Sequence, residues 1–222
     1  MLHMLYPALC EGCAKPLIAA EEVLCIGCEQ QLPETKYHHA EDNETALRFA
    51  GRVPFHYATS YAFFTADGLL QHLIHELKYR DKKDIGPYLG AKFGRSLQPV
   101  PHLRGIDMVI PVPLHPAKKA FRGYNQAMLI AEGIAKQLGI PASEQLLRIR
   151  ETESQTNKSR SERVNNMQGA FRVKDMQQLA GKHILLVDDV LTTGATLEAC
   201  AHALMAVENI KISFATIGIA VS

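Results

Sequence analysis

The chain has no tryptophan, and aromatic residues make up only 7% of its 222 positions. That scarcity excludes no function by itself. Long hydrophobic runs are also missing. The longest apolar tract, Ile212 to Val221, falls far short of the ~20 residues that a bilayer-crossing helix needs, which argues against membrane insertion. The N-terminus lacks a basic stretch, and Cys10, Glu11 and Cys13 interrupt its apolar start, so it does not read as a secretory signal. Charge of one sign is absent too, because 24 basic against 23 acidic residues leave a formal net charge of +1. No global field then draws the chain to nucleic acid or acidic membranes, and any such role has to rest on a local patch. No repeat or low-complexity tract stands out beyond a paired CxxC. A cytoplasmic location is expected, where thiols stay reduced and clustered cysteines usually bind metal.

What is present points to an α/β protein. Apolar residues reach 47%, enough for a packed core. The length suits one medium domain plus a small appendage. Residues 1–35 are cysteine-rich and poor in periodicity. Residues 36–56 form a polar connector, and a globular pattern occupies 57–222. Strands are expected at Tyr57–Phe64, Ile106–Val112, Glu144–Ile149, from Phe171, at His183–Val187 and at Ile210–Ala220. Helices are expected at Gly68–Tyr79, from Pro87, at Tyr124–Leu138 and at Leu197–Val207. Glu151 to Gln168 is polar and without regular pattern. Strands alternating with helices imply a mostly parallel sheet with helices on both faces. Ligands of such sheets sit beyond the carboxyl ends of the strands.

The most informative segment runs His183-Ile-Leu-Leu-Val-Asp-Asp-Val-Leu-Thr-Thr-Gly-Ala-Thr196. An apolar strand delivers Asp188 and Asp189 to its end, and a turn of Thr192, Thr193, Gly194, Ala195 and Thr196 opens a helix. A helix N-terminus offers free N–H groups and partial positive charge to an anion such as phosphate. Gly194 permits close backbone approach, and the threonine hydroxyls add donors. The two carboxylates can accept hydrogen bonds from vicinal sugar hydroxyls or orient magnesium. The plainer alternative is a strand ending in an Asp-rich turn with a helix cap.

Cys10, Cys13, Cys25 and Cys28 form two CxxC pairs. Such knuckles can place four thiolates around structural zinc, with Gly12 and Gly27 expected where tight turns need them. Two disulfides are the alternative. Cys200 stands apart and reads as a buried apolar thiol.

The 183–196 run closely resembles the phosphoribosyl-pyrophosphate motif of type I phosphoribosyltransferases. With the four cysteines, Pro-Val-Pro-Leu-His (111–115) and Arg-Gly-Tyr-Asn-Gln (122–126), the whole chain resembles the ComF family, also called ComFC or GntX. The resemblance implies a type I phosphoribosyltransferase fold behind a zinc module. It implies that Asp188 and Asp189, the catalytic pair, meet the ribose 2′- and 3′-hydroxyls while 192–196 wraps the 5′-phosphate. Magnesium would accompany the phosphoribosyl pyrophosphate. The pyrophosphate side would use Lys78, Tyr79, the backbone near Leu114 and His115, and Arg122. Arg80 belongs to the same basic cluster as Lys78, and Lys82, Lys83, Lys118 and Lys119 can equally be solvated surface. The segment from Gln155 to Arg163 resembles a closing hood, with Lys158, Arg160 and Arg163 as phosphate or partner contacts.

Two functions follow, beside a third in which the metal module and the domain form only a scaffold. One is transfer of the phosphoribosyl group to an unidentified acceptor. The other is a non-catalytic protein that binds phosphoribosyl pyrophosphate and handles single-stranded DNA in natural competence, with a helicase as a possible partner. In that second case Tyr79, Tyr88, Phe121 and Tyr124 would lie beside basic residues as stacking groups, although core packing accounts for aromatics on helices equally well.

Overall fold

The computed structural model describes residues 8–149 and 169–221. The expected hood, with Lys158, Arg160 and Arg163, lies outside the described residues. Near the N-terminus a short helix α1 (Ile26–Gln30) and a one-turn helix α2 (Glu44–Leu47) precede the first strand, β1 (Tyr57–Phe64). Then come α3 (Leu69–Tyr79), α4 (Ile85–Leu97), β2 (Met108–Pro111), α5 (Pro116–Arg122), α6 (Gln126–Leu138) and β3 (Leu146–Arg148). After the undescribed stretch follow β4 (Phe171–Val173), α7 (Met176–Leu179), β5 (His183–Leu191), α8 (Ala195–Leu204) and β6 (Lys211–Ala220).

Four strands form one parallel sheet in the order β1-β6-β5-β2. The two central strands are covered on both sides, which is why they read as nearly continuous apolar runs. Along β5, Leu185 and Val187 face one core with Leu89 and Phe93 of α4 and Ile130 and Ile134 of α6. Ile184 and Leu186 face the other with Leu197, Cys200 and Leu204 of α8 and with Phe49. This period of two assigns each strand residue to one layer. Strands β3 and β4 pair antiparallel in a separate ribbon. Cys200 is fully buried, and burial holds its thiol well above the ordinary range.

Several boundaries differ from the sequence expectation, each for a physical reason. Strand β5 runs on past Val187 to Leu191, because Asp188 pairs with Thr216 and Leu191 with Ile219 of β6. Backbone pairing there outweighs the poor strand preference of aspartate. Helix α4 starts at Ile85, so Pro87 lies inside its first turn, where N–H groups have no helical partner. Helix α8 starts at Ala195, because Gly194 at φ 81° takes the capping position. A helix also fills 116–122, where only a basic loop was expected. His115 caps it by accepting from the Ala117 N–H at 3.3 Å, and Pro116 occupies its first turn.

Helices α4 and α6 pack backbone to backbone through Gly86, Gly90, Gly94 and Gly133. A Cβ on Gly90 would collide with the Ile130 carbonyl oxygen, and one on Gly133 with that of Pro87. Because both obstacles are main-chain atoms, the helices must separate to relieve them. Gly90→Ala should therefore lower stability by about 1–3 kcal/mol, although alanine is the better helix former. A denaturant midpoint equal to or above that of the wild type would contradict this packing.

Candidate functional site

Asp189 is a buried carboxylate near the end of β5, two positions before its last residue, Leu191. Its Oδ2 accepts from Lys78 Nζ at 2.8 Å and from Gln126 Nε2 at 3.0 Å. The last turn of α3 and the first residue of α6 are thus tied to the end of the central strand. Asp188 is partly exposed beside it, and its Oδ1 accepts from the Asp189 N–H at 2.8 Å. Burial, then the adjacent Asp189 charge, push the Asp188 carboxyl up to about 7, against the pull of the Asp189 N–H, Lys78 and Arg148. Loss of water around the carboxylate comes first in this shift, and repulsion between two adjacent like charges second.

The run 122–126 supplies one structural contact per residue. The Arg122 guanidinium lies 5.1 Å from the Tyr79 ring centre, and its Nη1 donates to Gln126 Oε1 at 3.0 Å. Gly123, at φ 78°, ends α5 in a conformation that favours glycine. The Tyr124 hydroxyl donates to the Leu77 carbonyl. Asn125 caps α6 through its Oδ1 and donates from Nδ2 to the Val112 carbonyl at 3.0 Å. Gln126 then reaches Asp189. Lys78, Tyr79, Arg122 and Asp189 accordingly form one connected rim. His115, after Leu114, caps α5 and has no contact with that rim among the hydrogen bonds and ion pairs of the described residues. Lys82 instead pairs with Glu11 at 2.8 Å, Lys83 with Asp81 at 3.0 Å and Lys119 with Glu144 at 3.1 Å.

The loop from Thr192 to Thr196 follows directly. Gly194 carries the left-handed turn, and a Cβ there would lie 3.1 Å from the Phe49 ring and 3.5 Å from the Arg52 guanidinium. Thr193 Oγ1 accepts from the Ala195 N–H at 3.4 Å. Behind the loop stand Arg48 and Arg52, which donate to the carbonyls of Thr192 at 2.9 Å and Thr193 at 3.0 Å.

At the N-terminal end, the sulfurs of Cys10, Cys13, Cys25 and Cys28 all lie within 4.8 Å of one another, and those of Cys13 and Cys25 are 3.7 Å apart. Four sulfurs ~2.3 Å from one zinc ion would stand roughly 3.8 Å apart, so the donor set fits a tetrahedral metal. Burial raises the Cys10 thiol, but N–H donors of Cys25, Cys13 and Gly12 outweigh it and bring it to about 6. Burial and the neighbouring thiols push Cys28 up. The two glycines do not play the expected equal parts. A Cβ on Gly12 would meet Cys28 Sγ at 2.9 Å, whereas Gly27 has open space. The left-handed turn of the first knuckle falls on Ala14, at φ 57°.

Three contributors escape a reading of sequence patterns. Arg48 and Arg52 lie in the polar connector, about 140 residues from the loop they hold, and carry no motif of their own. Arg148, at the end of β3, brings positive charge to Asp188 from an unremarkable strand. Gln126 had a signal in the 122–126 run, but its partner could not be read without the fold.

A family model described as phosphoribosyl transferase domain matches residues 125–222. A Salmonella typhimurium protein named DNA utilization protein YhgH is 28% identical over 211 residues, covering 90% of this chain and 91% of its own length. Competence protein F of Haemophilus influenzae is 27% identical over 216 residues, with 91% and 94% covered. Competence protein ComFC of Bacillus subtilis is 25% identical over 201 residues, with 85% and 80% covered.

The carboxylate pair yields a signed expectation. Because the folded Asp188 value of about 7 exceeds the ordinary 3.8, its destabilising effect is absent below about pH 4 and complete above about pH 7. Asp188→Asn should stabilise the unliganded protein at pH 8 by on the order of 1–3 kcal/mol, a figure kept below the full shift because the side chain is partly exposed. Melting curves of both proteins should converge as the pH falls to 4. A difference that stays constant with pH would contradict the raised carboxyl. For the cysteines, elemental analysis should find about one zinc ion per chain, lost in Cys10→Ser. Freshly purified wild type free of metal would contradict the assignment.

Proposed function

We propose that this chain, a ComF-family protein with a phosphoribosyl transferase domain, binds phosphoribosyl pyrophosphate with magnesium at the carboxyl end of β5. The observation that carries the reading is the sequence of chemistry along one strand. Two adjacent carboxylates stand at the end of a central parallel strand, and a left-handed glycine turns the chain at once into a helix N-terminus. In this reading Asp188 and Asp189 accept hydrogen bonds from the ribose 2′- and 3′-hydroxyls. The N–H groups and hydroxyls of Thr192, Thr193, Gly194, Ala195 and Thr196 hold the 5′-phosphate. Lys78, Arg122 and the backbone near Leu114 and His115 face the pyrophosphate, and Tyr79 holds Arg122 in place by stacking.

The residues fit magnesium in their donor chemistry, since two adjacent carboxylates near one strand end offer the hard oxygen ligands this ion takes. When bound, the ion would offset the charge of the departing pyrophosphate. The chain's own contribution to transfer is positioning and charge stabilisation. Arg122 and Lys78 take up negative charge as the C1–O bond breaks, and the Asp pair sits beside the oxocarbenium-like sugar. The acceptor that then bonds to C1 is not specified by any of these groups. Zinc, held by Cys10, Cys13, Cys25 and Cys28, is structural in this reading, because four thiolates complete its coordination.

A second reading keeps the ligand and drops the transfer. Its support is the names of the relatives, which concern competence and DNA utilization, together with one surface feature. Phe121 is 84% exposed and Tyr79 56% exposed on the rim that carries Lys118, Lys119 and Arg122. Exposed aromatics among cations are how single strands are held.

Calorimetric titration of phosphoribosyl pyrophosphate with magnesium tests both readings. The wild type should bind, and Asp188→Asn with Asp189→Asn should bind at least about tenfold more weakly. Equal affinity in the two proteins would remove the proposal. With binding established, release of pyrophosphate on adding a nucleobase favours transfer. Salt-dependent binding of an oligothymidylate, weakened in Phe121→Ala and without turnover, favours the second reading.

A further inference from the structure

A peptide carbonyl and the N–H of the next residue share one plane and point in opposite directions. Whatever fixes a carbonyl therefore fixes where the following N–H is aimed. In the loop after β5, two successive carbonyls are held from behind. Arg48 Nη1 donates to Thr192 O at 2.9 Å and Arg52 Nη1 to Thr193 O at 3.0 Å. The N–H groups opposite those carbonyls belong to Thr193 and Gly194, and among the described residues neither has a hydrogen-bond partner.

We infer that Arg48 and Arg52 are positioning residues for the candidate site, a clamp from the 43–52 segment that turns the Thr193 and Gly194 N–H groups toward a phosphate monoester. The inference rests on the reading of this loop as the 5′-phosphate cradle. Neither guanidinium ends at the loop. Arg52 Nη1 also donates to Arg48 O at 2.7 Å, and its Nη2 pairs with Glu198, a buried residue in the first turn of α8. Arg48 Nη2 donates to Ala220 O at 3.2 Å, at the end of β6, and pairs with Glu44 at 3.4 Å. Each side chain thus spans the loop and an element that flanks it.

The segment that carries the clamp is itself anchored. Phe49, between the two arginines, is fully buried and packs 4.4 Å from Phe214 of β6, centre to centre. Asn43 caps α2 through the Ala46 N–H and donates to Ala58 O of β1 at 2.9 Å. Thr45 and Ser60 share a buried hydrogen bond at 2.7 Å. The planar fork of arginine reaches several acceptors in fixed directions, which the single ammonium of lysine does not reproduce. Glu198 pairs with Arg52 and Glu44 with Arg48, so each cation has a carboxylate beside it. The clamp therefore acts through hydrogen-bond direction more than through its field.

The test separates the two ends of the ligand and includes a readout that needs no ligand. Ribose 5-phosphate and inorganic pyrophosphate are titrated into wild type, Arg52→Ala, Arg52→Lys and Glu198→Gln. Amide exchange is followed in the same unliganded proteins. Arg52→Ala should bind ribose 5-phosphate about tenfold or more weakly, with pyrophosphate affinity unchanged. Exchange at Ala195 and Glu198, whose N–H groups donate to Thr193 Oγ1 and to the Gly194 carbonyl, should accelerate at least about tenfold while that of Leu185 and Val187 in β5 holds. Should Arg52→Ala fail to fold, Arg52→Lys and Glu198→Gln carry the same comparison. Unchanged affinity and unchanged loop exchange overturn the clamp and leave the phosphate reading standing. Acceleration across β5 as well would mean general loosening and overturns the positioning role. Accelerated loop exchange in a family of proteins that bind no ribose 5-phosphate, wild type included, supports the clamp and overturns the phosphate reading.

Discussion

The buried carboxylate of Asp189 is the point on which the arrangement of this protein depends. A charge removed from water is tolerated only with partners in good geometry. Here the partners come from two different helices, Lys78 at the end of α3 and Gln126 at the start of α6. Satisfying that one group therefore fixes where both helices meet the carboxyl end of β5. Gln126 in turn orders Arg122, and Arg122 lies over Tyr79 of α3, which closes the rim on itself. Asp188 takes the opposite part. It remains partly exposed and strained, the condition expected of a group that awaits a ligand.

The cysteine module is joined to the same framework. Cys10 and Cys28 belong to the core that also holds Leu70, Leu73 and Leu77 of α3. Glu11 meets Lys82 at 2.8 Å, and its carbonyl oxygen lies 2.9 Å from the His72 ring nitrogen. Glu29 accepts from the Tyr88 hydroxyl at 2.6 Å and pairs with Lys92 of α4. Contacts of Glu11 beside the cysteines and of Asp189 thus both reach α3 or its immediate continuation, the helix that carries Lys78. A metal bound at the cysteines would steady the helix whose Lys78 pairs with Asp189.

Much of this was legible in the sequence, and the remainder was not for identifiable reasons. The apolar run before Asp188 announced a central strand, because only a strand covered on both faces can be so uniformly apolar. The cysteine spacing announced a four-sulfur cluster, because two short knuckles leave few other geometries. The end of β5 was placed too early, since two aspartates look like a strand terminus until pairing with β6 is known. Helix α5 was missed because its residues bury nothing, so no apolar periodicity marks it. The arginines behind the loop after β5 were invisible for a deeper reason. Arg48 and Arg52 act on backbone carbonyls, and a carbonyl leaves no trace in the identity of the residue that bears it. Gly12 carried a signal whose meaning was misread, since it makes room for Cys28 Sγ and the turn belongs to Ala14.

The most direct test of the account is a crystal structure of the full chain grown with magnesium and phosphoribosyl pyrophosphate. The account predicts ribose hydroxyls within hydrogen-bond distance of Asp188 and Asp189. It also predicts the 5′-phosphate on the N–H groups of Thr193 to Thr196 and pyrophosphate oxygens facing Lys78 and Arg122. Density for the ligand elsewhere, or a site at Asp188 and Asp189 that stays empty while the ligand is in excess, would contradict it.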